Sequence, residues 1–277
     1  MECELQAKFA LIDLLPQKQG SKATFGSAVH LALEHYNRTG DVDEAVRLFM
    51  DAWDDPGRVL GTDVEVWNRY TTAGGLRQRG IEIVRAYHER MRYEDRVVIA
   101  TEHPFLVPFG RHELSGTVDL VTLRRNHRGR DLLAIEDLKT NARRPNTGEL
   151  VLNIQFTVYL YASLQPEFWF GNGDGYPPIH NAEWWWETLT DIPRRGIWLQ
   201  LWDGCRDLDA GARDDDDFGR LYRLCNEVER AINAEVFVPH IGEACTTCDY
   251  ANGPCPVVVP TRDEWQAARL EDETAWL

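Results

Sequence analysis

Lysine is almost missing from this chain of 277 residues: only Lys8, Lys18, Lys22 and Lys139 occur, and from Ala23 onward every other long basic side chain is arginine. Basic residues are scarce altogether, 30 against 45 acidic ones, which leaves a formal charge of −15. That balance excludes a protein that coats nucleic acid non-specifically, because phosphate binding needs at least a local positive surface. No apolar run approaches the roughly 18 residues that span a bilayer, and the N-terminus lacks a basic segment followed by an apolar core. The expectation is a cytoplasmic protein with no membrane contact. A Walker A loop is also absent, so translocation driven by its own ATP hydrolysis is not expected.

What is present suffices for a globular fold. The hydrophobic fraction is 43%, enough for a buried core in a chain of this length. The first third reads as helical. Apolar residues recur at helical spacing from Glu4 to Leu15, from Thr24 to Tyr36, from Asp43 to Trp53 and over residues 76–93. The period then changes. Val97–Glu102, with Phe105–Phe109 beyond Pro104, Glu113–Leu123 and Asp131–Lys139 read as three strands, the last two joined by a turn at 126–129. A loop follows over Asn141–Glu149, then a helix over Leu150–Leu164, a loop around Gly171–Gly175, a strand over Gly196–Trp202 and a long helix over Phe218–Glu235. This pattern predicts an α/β or α+β core with helices on its face, its first strands antiparallel neighbours. One domain is expected over 1–277: a mainly helical region (1–96), a core (97–204) and a C-terminal helix with a cysteine-bearing segment (205–277).

The rare lysine carries the chemistry. On a strand, Asp137 and Lys139 point to one face and Glu136 and Leu138 to the other. A hairpin register that sets Asp119 opposite Asp137 brings two carboxylates together, and a hard divalent cation relieves their repulsion. Mg²⁺ or Mn²⁺ there, with the Leu138 carbonyl as a further oxygen donor, suits phosphodiester hydrolysis in which Lys139 positions the water. His30, with Glu34 one turn later, offers an imidazole ligand from outside the sheet. Gln155 and Tyr159, one turn apart, offer an amide and a phenol to a phosphate or to the lysine. Arg124-Arg125, Arg128, Arg130 and Arg143-Arg144 are expected to form a basic rim, whereas Asp214–Asp217 with Asp207 and Asp209 reads as a solvated loop. Trp184–Trp186 serves either packing or stacking on unpaired bases.

The six cysteines are Cys3, Cys205, Cys225, Cys245, Cys248 and Cys255. Without an export signal, disulfides explain them poorly. Cys245, Cys248 and Cys255 crowd together as metal ligands do, with a fourth to come from Cys3, Cys205 or Cys225; spacing alone does not decide between zinc and an iron–sulfur cluster, and composition slightly favours zinc.

Several segments in order resemble the RecB-type branch of the PD-(D/E)XK nucleases, in particular the iron–sulfur exonucleases of CRISPR-associated and phage type and the nuclease domain of AddB. They are Cys3-Glu-Leu-Gln-Ala-Lys-Phe9, Phe25-Gly-Ser-Ala-Val-His30, Leu114-Ser-Gly-Thr-Val-Asp119, Ile135-Glu-Asp-Leu-Lys139, Gln155-Phe-Thr-Val-Tyr159 and the terminal run from Phe237 through Cys255. Val118 stands where the superfamily has its nominal proline. The resemblance implies an α/β fold, a restriction-endonuclease-like mixed sheet core flanked by helices, and a [4Fe–4S] cluster on Cys3, Cys245, Cys248 and Cys255, in place of zinc. It further implies metal binding by His30, Asp119 and Asp137, with Lys139 as the active-site lysine; Glu102 lies near a commonly acidic position and receives no role. The implied activity is a metal-dependent DNA exonuclease of phage or prokaryotic recombination, repair or processing. Its partners are DNA with free ends or single strands and recombination or replication proteins, with oligomers allowed. A non-catalytic DNA-binding subunit and a zinc-stapled RNA or DNA phosphodiesterase are the alternatives.

Overall fold

Strict alternation of buried residues along Arg96–Phe109 (β1) marks a strand with one face in the core, and it continues through Pro104. Proline is tolerated because β1 is an edge strand, so its missing N–H interrupts no second ladder. The computed structural model describes residues 3–17, 20–62, 72–125, 129–172, 175–189, 191–242, 245, 248–251 and 253–255. The expected turn at 126–128, residues 173 and 174 of the glycine loop, and Lys18 lie outside them. The chain divides into two compact units, Met1–Lys18 with Glu227–Leu277, and Gln19–Asn226.

The larger unit is built on one five-stranded sheet. After β1 come His112–Arg125 (β2), Asp131–Lys139 (β3), Arg194–Gln200 (β4) and Arg206–Gly211 (β5), in that spatial order. All neighbours are antiparallel except β3 and β4, which run parallel. A parallel pair needs a long crossover, and the chain between them supplies one. It holds the helices Thr147–Val151, Ile154–Ala162, Pro166–Phe170 and Ala182–Leu189.

Before the sheet come Glu4–Ala7 (α1), Ser21–Thr39 (α2), Val42–Asp54 (α3), Pro56–Leu60 (α4) and Ala73–Met91 (α5), so the crossover helices are α6 to α9 and Asp215–Asn233 is α10. Helices α2, α3 and α5 pack on one sheet face, through Phe25, Val29, Leu33, Phe49, Val84 and Tyr87 against Leu138, Leu199 and Leu201. Gly80 lets α3 and α5 approach closely: a Cβ there would sit 1.8 Å from the Phe49 ring. The other face is covered by Tyr159, Leu160, Phe168 and Trp169 of α7 and α8, which meet Phe105, Val118, Leu133 and Ile135. Helices on both faces of a mixed sheet make the expected α/β architecture.

Three sequence expectations change, and a fourth is made specific. The helix expected over 150–164 is two helices broken at Leu152-Asn153, where the Asn153 side chain caps α7 by accepting the Phe156 N–H. Trp184–Trp186, left between packing and stacking, lie on helix α9, with Trp185 and Trp186 against the core and Trp184 largely exposed. Residues 206–211, not expected as a strand, pair with β4. Asp215–Asp217 form the first turn of α10, where carboxylates favour the positive end of the helix, and Asp207 and Asp209 lie on β5.

In the smaller unit, α1 passes directly into a π-helical turn over Lys8–Ile12. Its core joins Phe9 and Ala10 to Tyr250, with the Phe9 and Tyr250 rings 5.3 Å apart and the Tyr250 hydroxyl donating to the Leu15 carbonyl.

Candidate active site

Register puts three carboxylates in a row across the sheet. Glu102 and Asp119 occupy the step between the Thr101–Leu120 and His103–Val118 pairs, and Asp137 lies one step beyond the Leu120–Glu136 pair. Here β2 and β3 part, and the Asp119 carboxylate enters the gap to accept the Leu138 N–H at 2.6 Å. Glu102 carries a left-handed backbone, φ 43°. That conformation is costly for a residue with a Cβ and recurs where function constrains the chain.

Helix α2 delivers His30 to this row. Its Nδ1 is 3.1 Å from Glu102 Oε1 and 3.7 Å from Asp119 Oδ1, and its Nε2 is 3.0 Å from the Leu138 carbonyl oxygen. Donor atoms of His30, Glu102 and Asp119 all lie within 4.8 Å of one another. On the far side of Asp137, the Lys139 ammonium contacts both carboxylate oxygens at 2.8 and 2.9 Å and approaches Gln155 Oε1 at 3.4 Å. Gln155 Nε2 donates to the Tyr159 hydroxyl at 2.8 Å, and that hydroxyl donates to the Thr117 carbonyl at 2.6 Å. With the phenol proton committed to Thr117, only the amide nitrogen can serve the phenol oxygen. Gln155 is thereby turned with its carbonyl oxygen toward Lys139.

Burial and crowding set the charges. Burial raises Asp119, repulsion from Asp137 adds to the rise and His30 offsets part of it, leaving the carboxyl at about 7. Burial likewise raises Asp137, against the pull of Lys139. For His30 burial works against the imidazolium, but the Glu102 hydrogen bond and the Asp119 charge outweigh it and push the ring up to about 9. Carboxyls raised by burial beside a histidine and a lysine are the electrostatic pattern of a functional centre. The donor set, one imidazole and several carboxylate oxygens with a carbonyl beside them, fits Mg²⁺ or Mn²⁺.

A family model decides the matter: that of the PD-(D/E)XK nuclease superfamily matches over residues 1–253. The chain belongs to that superfamily. As a PD-(D/E)XK protein it is a nuclease by family, and such nucleases use divalent metals. Its mixed five-stranded sheet with flanking helices agrees with a restriction-endonuclease-like fold. No curated protein matches. Among solved structures, the one titled "Crystal structure of SSO0001" is 12% identical, with 93% of this chain and 97% of that one covered and a TM-score of 0.34, a likeness that carries no argument.

All the residues singled out around Lys139 come together in this PD-(D/E)XK nuclease: His30, Asp119, Asp137, Leu138, Lys139, Gln155 and Tyr159. Glu102 was missed. Its signal was available in the β1–β2 register, which sets it across from Asp119, but a bulge between Val98 and Ala100 hides that register from the sequence. Glu34 lines the same opening as Glu102, with Gly26, Ser27, His30 and Leu31. The basic rim is different from expectation. Arg124 is mostly buried and bound to Glu136 and Asp207, while Arg143 pairs with Glu149 and Arg144 with Asp203.

Cys3, Cys245, Cys248 and Cys255 line one cavity of the smaller unit, together with Phe9 and Tyr250. Burial raises the Cys3 thiol, but the His240, Gln6 and Leu5 backbone amides outweigh it and hold the group below its ordinary value. Four cysteines around one cavity are a donor set that suits a thiolate-bound metal or cluster. Cys205, by contrast, is buried and pushed up to about 12 by that burial.

Proposed function

We propose that the protein is a metal-dependent DNA exonuclease that trims strands with free or unpaired ends. The physiological setting we assign is phage or prokaryotic recombination, repair or replication, in the cytoplasm. One observation carries the reading: His30, Glu102, Asp119, Asp137 and Lys139, drawn from three strands and a helix, meet where β2 and β3 separate. Two carboxyls raised by burial beside a histidine and a lysine support the reading of a functional centre.

In this reading His30, Asp119, Asp137 and the Leu138 carbonyl hold Mg²⁺ or Mn²⁺, and Glu102 joins them. The ion supplies Lewis-acid polarisation of the scissile phosphate and a more acidic bound water. The remaining work falls to side chains. Lys139, anchored by Asp137 and steered by Gln155, orients the attacking water and offers positive charge to the phosphorane oxygens as negative charge builds there. The water gives up a proton to solvent as its oxygen forms the new bond to phosphorus, the bond to the departing 3′ or 5′ oxygen breaks, and that oxygen takes up a proton from solvent. Tyr159 keeps Gln155 in place. The [4Fe–4S] cluster is assigned to Cys3, Cys245, Cys248 and Cys255 as a structural element, and both units are read as one nuclease.

Digestion of end-labelled linear DNA and of circular single strands, with Mg²⁺ or Mn²⁺, tests the proposal. Asp119→Ala and Lys139→Ala should fold normally yet lose about 10²-fold or more in rate, as expected when charge stabilisation at a transition state is removed. Cleavage of circles as fast as linear strands would reject the exonuclease assignment. Turnover unchanged in both variants would reject the centre.

A further inference from the structure

Beside the site stands a knob of aliphatic side chains with no partner in the core. Leu152 is 75% exposed, Ile154 53% and Val151 50%. Three such residues within four positions would ordinarily gain by tucking inward. Here the backbone prevents it. Asn146 and Glu149 close a reciprocal cap on α6, Asn153 caps α7, and Arg213 donates to the carbonyls of Leu150 and Asn153 and to the Thr157 hydroxyl. The knob is therefore held outward on a braced turn.

Its position is informative. Ile154 immediately precedes Gln155, whose amide oxygen approaches the Lys139 ammonium at 3.4 Å, so the knob adjoins the helix turn that supports the lysine. Arg143 and Arg144, on the loop that leads from Lys139 to the knob, have side chains 76% and 40% exposed, and each is paired with a surface carboxylate that a phosphate can replace. Exposed cations followed by exposed aliphatics match a strand that presents phosphates on one side and base faces on the other. Aliphatic wedges placed against base steps unstack them.

Building on the nuclease reading of the neighbouring centre, we propose that Leu152, supported by Val151 and Ile154, is a wedge. It packs against the terminal base of bound DNA, parts it from its partner and seats one strand beside Lys139. Leu152 thereby sets the preference for ends.

A duplex with 2-aminopurine at its terminal pair, titrated in Ca²⁺ to suppress turnover, tests the wedge by emission while anisotropy reports binding. Wild type should raise the emission about twofold or more as the base unstacks, and Leu152→Ser should give less than about half that rise. In Mg²⁺ the same variant should digest blunt duplex about tenfold more slowly and unpaired strands within about twofold of wild type. Because Leu152 is exposed, its melting temperature should hold; should the variant misfold, Ile154→Ser repeats the test from the other side of Asn153. Equal emission from wild type and both variants, or bound duplex with no emission change, overturns the wedge and leaves the nuclease standing. The expected emission pattern without digestion by wild type leaves the wedge and overturns the nuclease. No binding of DNA overturns both.

Discussion

At His30 both ring nitrogens are engaged, and the partners differ in kind. A carbonyl oxygen can only accept, so in the metal-free protein Nε2 carries the proton that bonds Leu138, while Nδ1 faces the carboxylates of Glu102 and Asp119. The ring is held protonated up to about 9 and Asp119 up to about 7. Each folded value lies above the unfolded one, so each group's stabilising contribution is complete below its unfolded value and fades as pH rises through the folded one. The metal-free protein should thus weaken from mildly acid to alkaline pH, the range in which both groups become free to bind a cation. The rise in melting temperature on adding Mn²⁺ should be larger at about pH 8.5 than at about pH 6; a gain that shrinks with pH would contradict the assignment. Glu102→Gln separates a ligand from a bystander. If Glu102 belongs to the centre, calorimetric Mn²⁺ affinity should fall about 10- to 100-fold with the fold intact, and unchanged affinity would return Glu102 to the surface.

At the level of elements, helix α7 positions the chemistry because it lies unusually close to the sheet. Gly196 on β4 permits this: a Cβ there would stand 2.5 Å from the Phe156 ring. Gly196→Val should cost about 1–3 kcal/mol by overpacking, and it should also displace Gln155 and Tyr159 on the same helix. Urea denaturation and digestion rate read the two effects, and a variant of unchanged stability would show that α7 does not rest on that glycine. Such contacts explain what the chain discloses in advance. Period-two alternation along β1 is readable because only one of its faces is buried, β3 discloses itself by its apolar run Leu132–Ile135, and a short connection makes β2 and β3 neighbours. Asp119 and Asp137 follow from that hairpin. The break at Leu152-Asn153 is hidden because apolar spacing runs through it, and only the Asn153 cap marks it. Strand β5 escapes notice because Arg206-Asp-Leu-Asp is polar on an edge, where burial imposes little pattern. Trp184–Trp186 favours neither period, so only tertiary packing makes it a helix.

For the whole molecule, a net charge of −15 means that long-range electrostatics do not draw it to DNA, and recognition must come from short-range features and from bound cations. The smaller unit raises a different question, since it is assembled from both ends of the chain. Its described core is slight, Phe9, Ala10 and Tyr250 with a few partly buried neighbours, so apolar burial alone gives it little stability. Four thiols around one cavity answer that need if a cluster joins them, because a bond network from Cys3 to Cys245 closes nearly the entire chain. By the chain-entropy relation for cross-links this closure is worth about 5 kcal/mol. Cys3→Ala should therefore strip most of the iron and the brown absorption near ~400 nm. It should also lower the melting temperature by about 5 °C or more, although Cys3 lies in a different unit from Lys139. Cys225→Ala serves as the control, since it removes a thiol from helix α10 that does not line the cavity, and it should leave iron content unchanged. A Cys3→Ala protein with full iron would show that the fourth ligand comes from elsewhere, while colourless wild type containing zinc would restore the zinc staple and leave the closure argument intact.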